Sequence, residues 1–292
     1  MFIIKVIKYF FQATLVYFFF IIIKIIGLTL SRRIFSYLFN LIGPLIKSDK
    51  IINSNLEKFL GYQNDEIKKN IKIKMWANYG KTFVEYLYLK KFRSSELRVK
   101  MKGEEILERI KKNNKPVIFV SGHFANFELM SMELIKRNIN LATIYRPLNN
   151  FFINPVMEYF RKKYICPNQI KKGLGGVKDS INYIKNNFSI ALMIDQRVSE
   201  GKKLPLFEHM AFTTTMPAQM ALKFNLDIVP IYITRDKDDN FEIEIYKPIE
   251  ILQDKDDDET KKLNMSIKLN KILEEMISRD PGHWIWTHNR WK

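Results

Sequence analysis

The pattern of hydrophobic and polar positions changes twice along the chain. Residues 2–30 are almost wholly apolar. Residues 48–80 then place apolar side chains at about the 3.6-residue spacing of amphipathic helices. From Pro116 onward, short aliphatic runs alternate with amphipathic segments. This pattern predicts an apolar N-terminal helix, a helical stretch, and a region in which strands and helices alternate.

The apolar N-terminal segment is long enough to cross a membrane. Between Tyr9 and Leu30 the only charged residue is Lys24, and a helix of that length reaches roughly the 30 Å of a bilayer's hydrocarbon core. Basic residues flank the segment on both sides, so its orientation stays open. We predict a membrane anchor over residues 1–34. The alternatives are a cleaved signal peptide or a buried core helix, and an anchor could cross the bilayer or lie in its plane.

The alternating region predicts the fold class. The segments PVIFV, LATIY, SIALMI and DIVPIYITR read as strands that are separated by helical segments. Strands and helices in turn are typical of an α/β domain with a mostly parallel central sheet flanked by helices. Near the end, FEIEIYKPIEI alternates like an edge or antiparallel strand, and DKDDDE reads as a solvated loop. Since no linker divides the chain, we predict one domain over residues 35–292.

Composition narrows the classes of function. The 292 residues contain 48 Lys and Arg against 31 Asp and Glu, a net charge of +17, and 47% are hydrophobic. Such a chain has enough apolar residues to fold. Its single cysteine, Cys166, excludes a disulfide framework and a multi-cysteine zinc site. The positive charge fits nucleic acid, a membrane surface or an acidic partner, but lysines are spread over most helices and no nucleic-acid-binding motif occurs.

The first strand–helix unit contains a candidate acid–base pair. The strand Val117–Val120 is followed by Gly122 and His123, which places the histidine at the carboxyl end of a strand, where ligands bind in open α/β sheets. Residues five apart on one helix lie about 140° apart, so Glu128 can reach His123 only if the histidine precedes the helix. Asn126 is then the predicted N-cap. In the alternative interpretation, His123 is a loop residue and Glu128 is an acid favoured by the helix dipole.

The later motifs resemble a known family. The segment GHFANFE, with histidine and glutamate five positions apart, looks like the first motif of the lysophospholipid acyltransferase superfamily. The segments that follow it are similar, in order, to those of the late acyltransferases of lipid A synthesis: Tyr145–Asn150, Asp195–Arg197, Pro205–Ala221, Ile228–Arg235 and Trp284–Lys292. The chain departs from that pattern at Phe207-Glu208, where the family usually has a second aromatic residue and a glycine, and at Met216, often a glycine. These positions bear on the preference for acyl chain or acceptor.

The resemblance implies transfer of a fatty acyl group from acyl-acyl carrier protein to a hydroxyl of a phosphorylated glycolipid, a lipid A precursor of the Kdo2-lipid IVA type. It also implies a location at the inner membrane with the catalytic domain on the cytoplasmic side. No cofactor and no metal are expected, and nucleic acid is not an expected partner. His123 would act as general base with Glu128 orienting it. An acidic carrier protein would suit the positive charge.

Further candidate site residues are indicated by their positions in the sequence. Arg146 follows the predicted strand LATIY, and Asp195 and Gln196 follow the predicted strand SIALMI, so they should lie at the carboxyl edge of the sheet. Arg146 would stabilise the oxyanion or bind an acceptor phosphate, unless it is a structural arginine paired with a carboxylate. Asp195 would orient the substrate or Arg146, with a purely structural hydrogen-bonding role as the alternative. Lys172, in the segment KKGLGG, could hold a phosphate or belong to a plain loop. The remaining expected substrate-binding residues are Gln196, Asn149 and Thr214, and the last of these could instead cap a helix.

Three other functions remain open at this point. Within the superfamily, the acceptor could be a lysophospholipid or another glycolipid. A hydrolase could use the same histidine to activate water. From another class, the protein could be a non-enzymatic, membrane-tethered binder of anionic lipid, its positive charge contacting the headgroups.

Overall fold

The computed structural model describes residues 2–61, 65–97, 99–249 and 257–292. Helices and strands alternate over most of its second half, as the sequence predicts. The helices are α1 (Phe2–Ile26), α2 (Leu28–Ile46), α3 (Asp49–Leu60), α4 (Asp65–Glu85), α5 (Leu89–Arg93), α6 (Glu104–Asn113), α7 (Glu128–Lys136), α8 (Asn154–Phe160), α9 (Leu174–Lys185), α10 (Met216–Phe224) and α11 (Asp258–Arg279). The strands are β1 (Val99–Lys102), β2 (Ile118–Ser121), β3 (Leu141–Tyr145), β4 (Gln169–Lys171), β5 (Ser189–Met193), β6 (Lys202–Leu206), β7 (His209–Thr213), β8 (Ile228–Arg235) and β9 (Phe241–Ile245).

Seven strands form the central sheet, in the order β1-β9-β8-β2-β5-β3-β4. Every neighbouring pair is parallel except β8 and β9, which are antiparallel. This arrangement confirms the predicted α/β fold with a mostly parallel sheet, and it confirms the antiparallel strand predicted near the C-terminus. β6 and β7 form a separate two-stranded hairpin. Residues 254–256 of the predicted acidic loop lie outside the described residues, while Asp257 is the N-cap of α11 and the last two residues of the predicted loop begin that helix.

Both faces of the sheet are covered by helices. Along β2, Phe119 packs into one apolar cluster together with residues of α5, α6 and α7. Its neighbours Ile118 and Val120 pack into a second cluster with residues of α9, α10 and α11. Successive side chains of a strand point to opposite faces, so a strand that is covered on both faces must be apolar throughout. The continuous aliphatic runs in the sequence reflect this burial.

The N-terminal helices differ in how far they are buried. α1 is long and apolar enough to cross a membrane, and only 17% of its most apolar window is buried. It breaks from α2 at Gly27, whose φ is 82°. α2 lies directly on α4: a Cβ atom added to Gly80 would stand 2.2 Å from the carbonyl oxygen of Phe35. The predicted boundary at residue 34 thus falls inside α2, and the division into an anchor and a domain stays a prediction.

Candidate active site

Two polar side chains meet where β2 and β5 end. These strands are parallel neighbours in which Ser121 is paired with Met193, so the residues that follow them leave the sheet at the same edge. The Nδ1 atom of His123 lies 2.7 Å from Oδ1 of Asp195, and the backbone N–H of His123 donates to Oδ2 at 2.8 Å. A third donor, the indole N–H of Trp284, reaches Oδ2 at 2.9 Å.

The surroundings keep Asp195 charged. Its side chain is fully buried. Burial alone would raise the pKa of the Asp195 carboxyl, but the charge and hydrogen bonds of His123, with the bond from Trp284, hold that pKa below its usual value. A carboxylate at Nδ1 fixes the proton on that nitrogen and leaves Nε2 with its lone pair. Because none of the described residues bonds to Nε2, His123 has the geometry of a general base.

The loop that carries His123 is held by several backbone contacts. Ala125 adopts a left-handed conformation, with a φ of 44°. Its carbonyl oxygen accepts hydrogen bonds from Asn78 Nδ2 at 3.2 Å and Thr82 Oγ1 at 3.1 Å, both on α4. Its N–H donates to the carbonyl oxygen of His283 at 3.1 Å. These contacts stabilise a backbone conformation that alanine adopts rarely.

Glu128 does not occupy the place that we predicted for it beside the imidazole. It is the first residue of α7, as expected for the first turn, but its carboxylate accepts hydrogen bonds from Tyr86 and from Arg161, the latter at 2.7 Å from Nη2. The guanidinium supplies both charge and several donors, so it is the stronger partner for a largely buried carboxylate. Asp195 holds the imidazole instead. Burial and then the charge of Glu128 raise the pKa of the Tyr86 hydroxyl.

The predicted N-cap is also wrong in detail. The structure has Phe127 at that position with no side-chain cap, and the side-chain amide of Asn126 donates instead to Glu85 at 2.9 Å. The hydroxyl of Thr214 accepts from the N–H of Met216, the first residue of α10, at 3.3 Å, but the N-cap of that helix is Thr215, which makes no side-chain cap.

Arg146 and Lys172 lie at the same edge of the sheet. They follow β3 and β4, which are parallel neighbours, and the N–H of Lys172 bonds to the carbonyl oxygen of Tyr145 at 2.8 Å. Partial burial lowers the pKa of the Lys172 amine, and the charge of Arg146 lowers it further, while Glu200 and Asp195 oppose the shift. Although its neighbours partly desolvate the Lys172 amine, both residues are exposed at the surface, and within the described residues no carboxylate pairs with Arg146. The two cations are therefore free to meet an anion beside His123 and Asp195.

Two other expected substrate-binding residues have no fixed partner. Asn149 is exposed and Gln196 is partly buried, and among the described residues neither forms a hydrogen bond. The next residue, Asn150, does have a fixed partner, since its Nδ2 donates to the carbonyl oxygen of Tyr9 in α1 at 2.9 Å. Both residues therefore follow strands at the carboxyl edge of the sheet, and the structure assigns them no contact among the described residues.

The C-terminal segment contributes more than the sequence indicated. Trp284 and Trp286 are buried, so both pack within the domain. His288 Nε2 accepts the backbone N–H of Arg197 at 2.9 Å, just after Asp195. Burial lowers the pKa of this histidine, with further lowering by nearby cations among which Arg290 is the strongest. The segment is rich in aromatic and basic residues, but no local signal in it indicates the residues that it contacts.

Two surface grooves lie apart from this site. One, of 440 Å³, is lined by residues of α3, α4 and the turn at 280–282, and the other, of 540 Å³, by residues around 102–106 and 244–249. His123 and Asp195 line neither of them. In the described ranges, no three His, Cys, Asp or Glu side chains are grouped so that they could hold a metal ion.

Comparison with known proteins agrees with the motifs. A family model described as bacterial lipid A biosynthesis acyltransferase matches residues 4–292. Lipid A biosynthesis acyltransferase 2 of Shigella flexneri is 25% identical over 195 residues, which are 65% of this chain and 59% of that protein. The aligned part thus spans less than two thirds of the length of this relative. Since the family model covers nearly the whole chain, the protein belongs to the bacterial lipid A biosynthesis acyltransferase family.

Proposed function

We propose that the protein is a membrane-bound O-acyltransferase that moves a fatty acyl chain from acyl-acyl carrier protein to a hydroxyl of a lipid A precursor of the Kdo2-lipid IVA type. The observation that carries the proposal is the pair His123–Asp195, joined at 2.7 Å at the carboxyl edge of the sheet, where none of the described residues bonds to Nε2 of His123. Family membership supports the choice of a lipid A acceptor.

The proposed reaction needs one base and a site for negative charge. His123 Nε2 takes the proton of the acceptor hydroxyl while its oxygen attacks the thioester carbonyl carbon. The tetrahedral intermediate carries an oxyanion, which Arg146 stabilises. As the intermediate collapses, the new ester forms, the carbon–sulfur bond breaks, and the departing thiolate takes the proton from the imidazolium of His123. Asp195 stabilises that imidazolium, so no serine or cysteine nucleophile is required.

Binding of the acceptor is assigned to the exposed residues beside the base. Lys172 and Arg146 supply charge for its phosphate groups, since phosphate favours Arg and Lys as partners. Gln196 and Asn149 are proposed to donate or accept hydrogen bonds to the sugar hydroxyls. Glu128 enters the proposal through Arg161, as a residue that supports the site and not as the partner of His123.

The position of α1 supports action at a membrane. Tyr17, on α1, donates to the carbonyl oxygen of Phe152 at 2.7 Å, and Asn150 bonds to α1 as well. The loop 147–152 follows β3, so α1 runs beside the catalytic edge. An apolar helix seated there would hold this edge near the headgroups of the inner membrane, with the catalytic domain on the cytoplasmic side, where the acidic carrier protein meets a chain of net charge +17.

The test is acyl transfer by the purified full-length protein in detergent, with an acyl-carrier-protein thioester and a lipid A precursor. His123→Ala should abolish ester formation in a folded protein. Lys172→Met should raise KM for the phosphorylated acceptor about tenfold, and Arg146→Met should in addition lower kcat, because it removes the charge proposed to stabilise the oxyanion. Lys185→Met, at the far end of α9, is the matched control.

Three outcomes would redirect the proposal. Free fatty acid formed equally with and without acceptor would favour a hydrolase, and transfer to a lysophospholipid alone would favour the related phospholipid activity. Full ester formation by His123→Ala would exclude the proposed base.

A further inference from the structure

A buried ionic cluster lies behind the active site. Its centre is Glu85, the last residue of α4, whose side chain has no exposed surface. Arg32 of α2 donates to it from Nε at 2.8 Å, and Arg235, the last residue of β8, donates from Nη2 at 3.0 Å. One carboxylate thus joins an N-terminal helix, α4 and the central sheet.

The same carboxylate reaches the loop of His123. Oε2 of Glu85 accepts the side-chain amide of Asn126 at 2.9 Å, and Asn126 is fully buried. Asn78 and Thr82, which bind the carbonyl oxygen of Ala125, precede Glu85 by seven and three positions on α4 and therefore share its face of the helix.

The cluster also orients this face of α4. Arg235 donates from Nε to the side-chain oxygen of Asn78 at 3.1 Å. Because Asn78 uses its oxygen for Arg235, its amide nitrogen is left to point at Ala125. The carbonyl oxygen of Ala125 and the side chain of Asn126 are therefore held from one polar face of α4, and two buried arginines bind the side chains of that face.

We propose that Glu85 is a positioning residue for His123, and that Arg32 makes this positioning depend on the seating of α2 against α4. A buried carboxylate is held in position by the partners that satisfy its charge and its hydrogen bonds. Moving α2 removes one of two guanidinium groups, which loosens the carboxylate and with it Asn126. The inference rests on the proposed function, because it assigns to Glu85 the placement of that reaction's base.

The test uses the purified full-length protein in detergent and measures the loop directly. Reaction of His123 with diethyl pyrocarbonate is followed by mass spectrometry relative to the exposed His209, which serves as an internal reference. Hydrogen exchange of the peptide that contains residues 122–127 is followed in parallel. Glu85→Gln, Asn126→Ala and Arg32→Met should each raise the His123 to His209 labelling ratio at least threefold and speed the exchange.

Kinetics should then separate positioning from binding. A misplaced base is expected to lower kcat at least tenfold while KM changes by less than twofold, because small displacements at a reacting centre reduce rates by up to about a hundredfold. The matched control is Glu133→Gln, another buried glutamate with two cationic partners, Lys136 and Arg137, near the far end of α7. It should lower the melting temperature and leave the labelling ratio unchanged.

The outcomes are distinguishable from those of the proposed function. If the wild-type protein transfers no acyl group, the proposed function fails, while the labelling ratio and the exchange rate still decide the role of Glu85. If Glu85→Gln does not fold, the Asn126→Ala variant tests the inference, since it leaves the ion pairs of Glu85 with Arg32 and Arg235 intact. An unchanged ratio and unchanged exchange in folded Glu85→Gln or Asn126→Ala would overturn the inference.

Discussion

His123 and Asp195, 72 residues apart in the chain, are joined by two hydrogen bonds, one through the imidazole and one through the backbone N–H. A single carboxylate therefore sets both the direction of the ring and the position of the residue that bears it. Two-point attachment of this kind restricts the imidazole more than a side-chain contact alone.

Asp195→Asn should lower kcat by about 10²–10⁴-fold, because the amide can neither stabilise an imidazolium nor favour the same tautomer. Glu128→Gln should reduce kcat less and act mainly on stability, since it leaves Arg161 without its charged partner. Steady-state acyl transfer and thermal unfolding of both variants check this pair. A larger loss of kcat in Glu128→Gln than in Asp195→Asn, with both folded, would return Glu128 to the role of orienting the base.

His288 should make the free energy of unfolding depend on pH below neutrality. Its pKa in the folded protein is lowered, by burial first, so the unfolded chain binds a proton before the folded one does. The stabilising contribution is therefore complete above the unfolded pKa of about 6.5 and is lost as pH falls from there toward the lower folded value. Urea unfolding of the wild type and of His288→Gln at pH 7.5, 6.5 and 5.5 measures the difference. The excess stability of the wild type over His288→Gln should shrink as pH falls. A difference that stays constant with pH would show that protonation of His288 does not cause the dependence.

Gly80→Ala should destabilise the contact between α2 and α4. The added methyl group would stand 2.2 Å from the carbonyl oxygen of Phe35, so the two helices must separate. Overpacking of this kind costs about 1–3 kcal/mol. Gly175→Ala in α9 is the control, because its methyl group meets nothing within 4 Å, and it should leave the melting temperature unchanged or raise it slightly. Equal melting temperatures for wild type and Gly80→Ala would contradict the close crossing.

Glu208→Gly should stabilise the protein by about 1 kcal/mol. Phe207 and Glu208 form the two-residue turn of the β6–β7 hairpin, and both have positive φ, 49° and 61°. Turns of this type favour glycine or asparagine, since a Cβ atom is strained there. Differential scanning calorimetry of Glu208→Gly and of Glu208→Ala checks the cause. Only the glycine should raise the melting temperature, and an equal rise in both would point to the removed charge instead.

The central strands could be predicted from the sequence because a strand that is covered on both faces of the sheet must be apolar at every position. β2, β5 and β8 are continuous aliphatic runs, and the helices between them keep their own spacing. β1 was not predicted, since its sequence VKMK is short and alternates lysine with apolar residues at the edge of the sheet. Its pairing partner, β9, lies some 140 positions later, too far for any local pattern to indicate.

The sequence indicated which residues belong to the candidate site, but it did not indicate which of them contact each other. His123 and Asp195 were both placed at carboxyl ends of strands, but their partnership depends on β2 and β5 being neighbours, and strand order has no local signature. Glu128 was assigned to His123 because it is near in sequence, while its actual partner Arg161 arrives from beyond α8. Short-range spacing misleads where a buried cation from another element competes for the same carboxylate.

The bonds from Asn150 and Phe152 to α1 have a consequence for how the two substrates meet. If α1 lies in the bilayer as proposed, these bonds would keep the proposed catalytic edge at one height above the lipid, and the acceptor would be found by diffusion within a plane. The carrier protein alone would have to be captured from solution. An enzyme with this geometry would search for the acceptor in two dimensions and for the carrier protein in three. The number of acceptor molecules per membrane area, and not their bulk concentration, would then set the rate at which the enzyme meets the acceptor.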